Sequence, residues 1–140
     1  MGGKRIISIM FYIVALYDGV LGAAFLVKPL RLIEWAGDTP PYHPGFIQFP
    51  ALLLVVFALM FIQIALDPAR NSNLIPYGVL LKIAYCLVVF KYWFTTGVGA
   101  MWKPFALIDA VTAVLFIWAY VILRQDAERS TQEAGGQETV

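Results

Sequence analysis

The sequence predicts an all-α fold: a four-span transmembrane helix bundle in up-down antiparallel order. Four apolar stretches, at residues 6–27, 46–66, 74–96 and 105–123, occupy most of the 140 residues. Each is close to the length of about 20 residues that a helix needs to cross a bilayer. Hydrophobic residues make up 61% of the chain and charged residues only 14%, outside the usual range for soluble domains. The short connections at 67–73 and 97–104 make the helices they join antiparallel neighbours, so span two should pair with span three and span three with span four.

Span one begins after Lys4 and Arg5, and with Gly22-Ala23-Ala24 as a small-residue site it has the outline of a signal peptide. It is longer than a usual apolar signal region and carries Tyr17 and Asp18 in its middle. We therefore read it as a retained transmembrane helix. The connection that follows has its own structure. Pro29 suits a first helical turn, and Leu30, Ile33, Glu34 and Trp35 can lie along the bilayer surface as one or two amphipathic turns. Gly37-Asp38-Thr39-Pro40-Pro41 breaks that helix, and Tyr42-His43-Pro44-Gly45 leads into span two. His43 reads as a solvated or capping residue. Trp35, Tyr42, Trp93 and Trp102 fall near one interface, where amphipathic rings prefer to sit.

These elements give a transmembrane domain over residues 1–124 and a polar tail over 125–140, rich in Gln, Glu, Ser, Thr and Gly, that reads as disordered and cytoplasmic. With both termini inside, the cytoplasmic side carries Lys4, Arg5, Arg70, Arg124 and Arg129 against Lys28, Arg31 and Lys103 outside. That bias favours a multi-pass membrane protein with both termini cytoplasmic.

Composition excludes several classes. A net charge of +1 offers no bulk attraction for nucleic acid. The single cysteine, Cys86, lies inside span three and reads as a small packing residue. Dinucleotide loops, phosphate loops and metal-ligand spacings are missing, so we assign no cofactor, metal or catalytic residue. The expected partners are the lipid bilayer and other membrane subunits or further copies of the chain.

The chemistry that remains is intramembrane. Asp18, Lys82, Lys91 and Asp109 lie within the spans, where a charge costs on the order of 2.5–3.5 kcal/mol even on lenient insertion scales. Together with Gln48 and Tyr85 they form the candidate polar site. A rise of about 1.5 Å per residue puts Asp109 and Lys91 near the outer surface, Asp18 deeper, and Lys82 deeper still. Lys82 shares a helix face with Tyr85, Val89 and Tyr92, whereas Lys91, nine residues on, faces the opposite way. The expected contacts are a buried Asp18–Lys82 pair and an outer Lys91–Asp109 pair, with Lys91 also able to reach the headgroups. An internal echo supports protein-facing carboxylates. Ala15-Leu16-Tyr17-Asp18-Gly19-Val20-Leu21-Gly22 and Ala106-Leu107-Ile108-Asp109-Ala110-Val111-Thr112-Ala113 both read small-x-x-Asp-small-x-x-small. Small residues beside a polar one suit close helix contact.

The glycine-rich first helix (Asp18-Gly19 through Gly22-Ala23-Ala24-Phe25), Pro29 just after it, and Lys103-Pro104 before Asp109 resemble the DoxX-like small bacterial four-helix membrane proteins. The resemblance implies association with a membrane redox system beside quinol-linked or thiol-linked enzymes, and the lone Cys86 disfavours the thiol-linked form. Three functional readings follow. The first is a non-catalytic accessory or structural subunit of an inner-membrane complex, a redox complex included. The second is an oligomeric small-molecule or ion carrier that uses the Asp/Lys cluster. The third is an enzyme on a lipophilic substrate such as a quinone or sterol, with Asp18 or Asp109 as proton donor. The ion cluster itself reads either as polar glue between helices or as a binding or proton-handling site.

Overall fold

A computed structural model describes residues 2–137. It contains α1 (Gly2–Val27), α2 (Pro29–Trp35), α3 (Gly45–Leu66), α4 (Ile75–Phe94) and α5 (Trp102–Gln137), with no strand among the described residues. α1, α3, α4 and α5 are each long and apolar enough to cross a membrane. Their outer faces carry exposed apolar side chains such as Leu16, Leu59, Leu87 and Val114, as lipid contact requires.

Local chemistry sets the boundaries. Pro29 disfavours helical geometry at the residue before it, and Lys28 turns the chain out of α1 with φ −135° and ψ 60°. α2 ends in a Schellman motif. Gly37 takes φ +80°, its N–H bonds to Glu34 O, and the Asp38 N–H bonds to Ile33 O. Ile33 is thereby buried with Phe25 and Ala51. At the other end of α3, the Asn71 side chain donates to Gln63 O at 2.7 Å and satisfies a terminal carbonyl. His43 is a capping residue: its Nδ1 accepts the Gly45 N–H at 3.0 Å.

The tail departs from expectation. Where disorder was anticipated from residue 125, α5 continues to Gln137. Gln125, Ala127, Glu128 and Arg129 are good or tolerant helix formers, and no proline interrupts them. Most of this extension is exposed, and residues 138–140 lie outside the described part.

Packing bears out the expected pairing of spans three and four and corrects that of spans two and three. The close backbone contacts are α1 with α3 and α4 with α5, whereas α3 approaches α4 at few positions. Side-chain size explains this. On α3, Ala51, Ala58 and Ala65 are buried at seven-residue spacing, so small side chains meet α1 along one seam. Gly19 faces Ala58, and Gly22 lies so close that a Cβ there would stand 2.7 Å from Ala51 O. Ser8 Oγ donates to Ala65 O at 2.5 Å. These contacts run in opposite sequence directions, as antiparallel helices require. α4 and α5 close in the same way, with the Cys86 thiol donating to Ala106 O at 3.3 Å. Between α3 and α4 stands the Phe61 ring, which presses on Gly78 and holds the backbones apart.

The ends of the bundle differ. Toward the start of α1, Phe11, Phe61 and Phe116 are fully buried with Ile7, Ile64 and Ile75. Phe11 stacks on Phe116 at 4.5 Å between centroids, and Phe61 meets Phe116 edge-on at 5.1 Å. Toward the end of α1 the core is thin, with Phe25, Ile33 and Ala51 as its buried members.

Candidate functional site

Between those two ends lies an ion cluster. Lys82 Nζ donates to Asp18 Oδ1 and Oδ2 at 2.9 and 2.8 Å and to Asp109 Oδ1 at 2.9 Å. An ammonium has three donors, so the lysine is saturated. Asp18 is 0% exposed, Lys82 1% and Asp109 7%. The Nζ also stands 5.8 Å from the centre of the Tyr17 ring and 6.0 Å from that of Phe61, within cation–π range.

Each charge is delivered by a helix contact made possible by small neighbours. α1 carries Asp18 beside Gly19 and Gly22, which seat it against α3. α5 carries Asp109 between buried Ala106 and Ala113. The two halves of the sequence echo thus meet at Lys82. The register also explains why the depths converge. Cys86 lies level with Ala106 and Gly78 with Phe116, so Asp109 is only about two residues, ~3 Å, from the level of Lys82. Counting inward from span ends separated them further, in part because α5 begins at Trp102 and α4 ends at Phe94, and because the ends of the two helices are not level.

The remaining candidates separate. The expected Lys91–Asp109 contact does not form, because Asp109 bonds Lys82 instead. Lys91 points outward from the last turn of α4, exposed, with its Nζ 5.3 Å from the Tyr92 ring centre. Nine residues of helix turn it away from the face of Lys82, and the α4 carbonyl end favours a cation there. Gln48 lies away from the cluster and donates to Leu26 O at 3.3 Å, covering a terminal carbonyl of α1. Tyr85 sits one turn beyond Lys82 and donates to Trp102 O at 3.3 Å.

A cavity of ≈ 340 Å³ opens directly on this cluster. Tyr17, Asp18 and Asp109 form its polar end. Leu21 and Phe25 of α1, Leu54 of α3, Leu81 and Tyr85 of α4, and Phe105 of α5 form its apolar walls. It lies beyond the Phe61–Gly78 contact, lined by residues of α1, α3, α4 and α5. Pro50 and Leu53 also line it and are exposed on the outer surface of α3, so its mouth faces the lipid side. The Tyr17 hydroxyl is buried there without a hydrogen-bond partner among the described residues.

Sequence reasoning did not single out Tyr17, Trp102 or Phe105 for this site. Tyr17 adjoins Asp18, which was a usable signal. Trp102 was read as an interface anchor, but it stacks on Phe25 at 6.0 Å in the cavity wall. Chemically, the arrangement can hold an apolar molecule of modest size and present a carboxylate oxygen and a phenol to its polar end. Comparison with protein-family models, curated proteins and solved structures returns no match.

Proposed function

We propose that this small integral membrane protein binds a lipophilic small molecule inside the bilayer, with the Asp18–Lys82–Asp109 cluster as the polar floor of the site. The observation that carries this reading is the cavity that opens toward lipid and ends on buried charges. Intramembrane ionisable groups are costly and mark functional sites by default. Interhelical polar contacts in membranes are modest in energy, and helix contact does not require a carboxylate to line an open cavity, as Asp109 does. In this reading the chain is a non-catalytic accessory subunit that holds a ligand for a membrane neighbour. Its proposed setting is a bacterial inner membrane, on the DoxX-like resemblance, and the Lys and Arg distribution supports cytoplasmic termini. Kinship with the DoxX-like group is proposed on the residues quoted above.

Native mass spectrometry of the full chain, extracted gently from its membrane, tests the reading. The wild type should retain a lipophilic molecule, and Leu54→Trp, which fills the cavity from its α3 wall, should release it while the protein stays folded. Wild-type protein that carries nothing and takes up no apolar probe from the bilayer would sink the proposal.

A further inference from the structure

The ion cluster is not electrically balanced. Asp18 and Asp109 contribute two carboxylates, and Lys82 contributes one ammonium whose three donors all point at them. Among the described residues no group donates to the second oxygen of Asp109, and this carboxylate, 7% exposed, lines the cavity. Among the described residues no second cation pairs with either carboxylate. Lys91 points outward at the end of α4, and Lys103 lies with its Nζ 5.0 Å from the Trp93 ring centre. The titratable groups around Asp109 are Tyr17 and Asp18 of α1 and Lys82, Tyr85 and Cys86 of α4. α3 carries no ionisable side chain over its whole length. With both carboxyl groups ionised, the cluster carries one negative charge beyond what Lys82 offsets, and Asp109 presents it to an apolar cavity walled by the rings of Tyr17, Phe25, Tyr85 and Phe105.

Aromatic faces and a fixed carboxylate in a low-dielectric pocket together select a cation. Two carboxylates disfavour an anionic head such as that of a fatty acid, and a neutral head leaves the charge where it is. We propose that the ligand class of this site is a lipophilic cation, an amine or quaternary ammonium on an apolar body. Its positive head lies against the free oxygen of Asp109 and the ring of Tyr17. Its apolar part runs past Leu54 toward the mouth at Pro50 and Leu53. This proposal rests on the cavity being a ligand site and adds the charge of the occupant.

The test compares two probes of one shape on the full chain in lipid nanodiscs, against empty nanodiscs. One is (4-phenylbutyl)trimethylammonium, and the other is its neutral carbon isostere, with a quaternary carbon in place of nitrogen. Tryptophan emission reports occupancy, because Trp102 stands in the cavity wall. The cation should bind at least tenfold more tightly than the isostere. Asp109→Asn should abolish that preference while the isostere still binds. Equal binding of both probes to the wild type would overturn the cationic ligand and leave the cavity reading intact. Binding of neither would overturn both. A preference that persists in Asp109→Asn would also overturn the proposal. If that variant does not fold, the comparison on the wild type decides alone.

Discussion

The end of the bundle around Phe11, Phe61 and Phe116 and the end around Phe25 and Trp102 are built from similar residues to opposite effect. In the first, three rings interlock and no side chain among them is exposed. In the second, the rings stand around a cavity of ≈ 340 Å³. The difference arises at α3. Phe61 fills the space between α3, α4 and α5, whereas about two to three turns away Leu54 and Pro50 leave it open. The ion cluster marks the boundary, solid on one side and hollow on the other. Stability therefore resides mainly in the aromatic end, which leaves the other end free to hold a ligand.

The largest expected effect lies at the boundary itself. Lys82→Met leaves two carboxylates facing each other, and loss of one partner from a buried ion pair costs about 3–5 kcal/mol in soluble proteins. Denaturant unfolding in detergent followed by circular dichroism should register a loss of that order. Adding Asp18→Asn should restore part of it, since one carboxylate still stays unpaired. Asp109→Asn alone should be far milder, because Lys82 and Asp18 still balance. If Asp109→Asn is as damaging as Lys82→Met, the cluster is structural glue and the contrast between the two ends weakens.

The next effect compares the ends directly. Phe61→Ala should cost about 3 kcal/mol or more, in the range for a buried ring. Leu21→Ala in the cavity wall should cost less than about 2 kcal/mol, because one side of Leu21 already borders empty space. Equal losses in the same unfolding assay would mean that the cavity end is as well packed as the other. Gly22→Val should then cost about 1–3 kcal/mol, since the backbone oxygen of Ala51 cannot yield to a new side chain. A neutral result would show that α1 and α3 can move apart. The smallest effect is expected at Lys91→Met, within about 0.5 kcal/mol, because that side chain is exposed and unpaired with any carboxylate. Thermal aggregation midpoints would separate it from the Lys82 variant.

Much of the architecture was legible along the chain. Hydropathy and span length located both ends of α1, α3 and α4 and the start of α5 to within a few residues, though not the continuation of α5 to Gln137, and Pro29 and Gly37 framed α2. The small residues beside Asp18 and Asp109 marked both carboxylates as protein-facing, and the nine-residue separation of the lysines meant that only one could turn inward. These are properties of a single helix: its length, its apolarity and the 100° step between residues set them wherever the helix is placed.

What the tertiary structure alone decided concerns relations between helices. That both carboxylates share Lys82, that α1 seats on α3 rather than α3 on α4, and that a cavity opens above Phe61 all depend on axial register and interhelical distance. Those follow from which small residues meet and which large ring holds two backbones apart. Ala51, Ala58 and Ala65 became meaningful only opposite Gly22, Gly19 and Ser8, and Phe61 only opposite Gly78. A sequence states the size of each side chain, but the distance between two helices is set by the pair of side chains that meet, and no single helix specifies its partner.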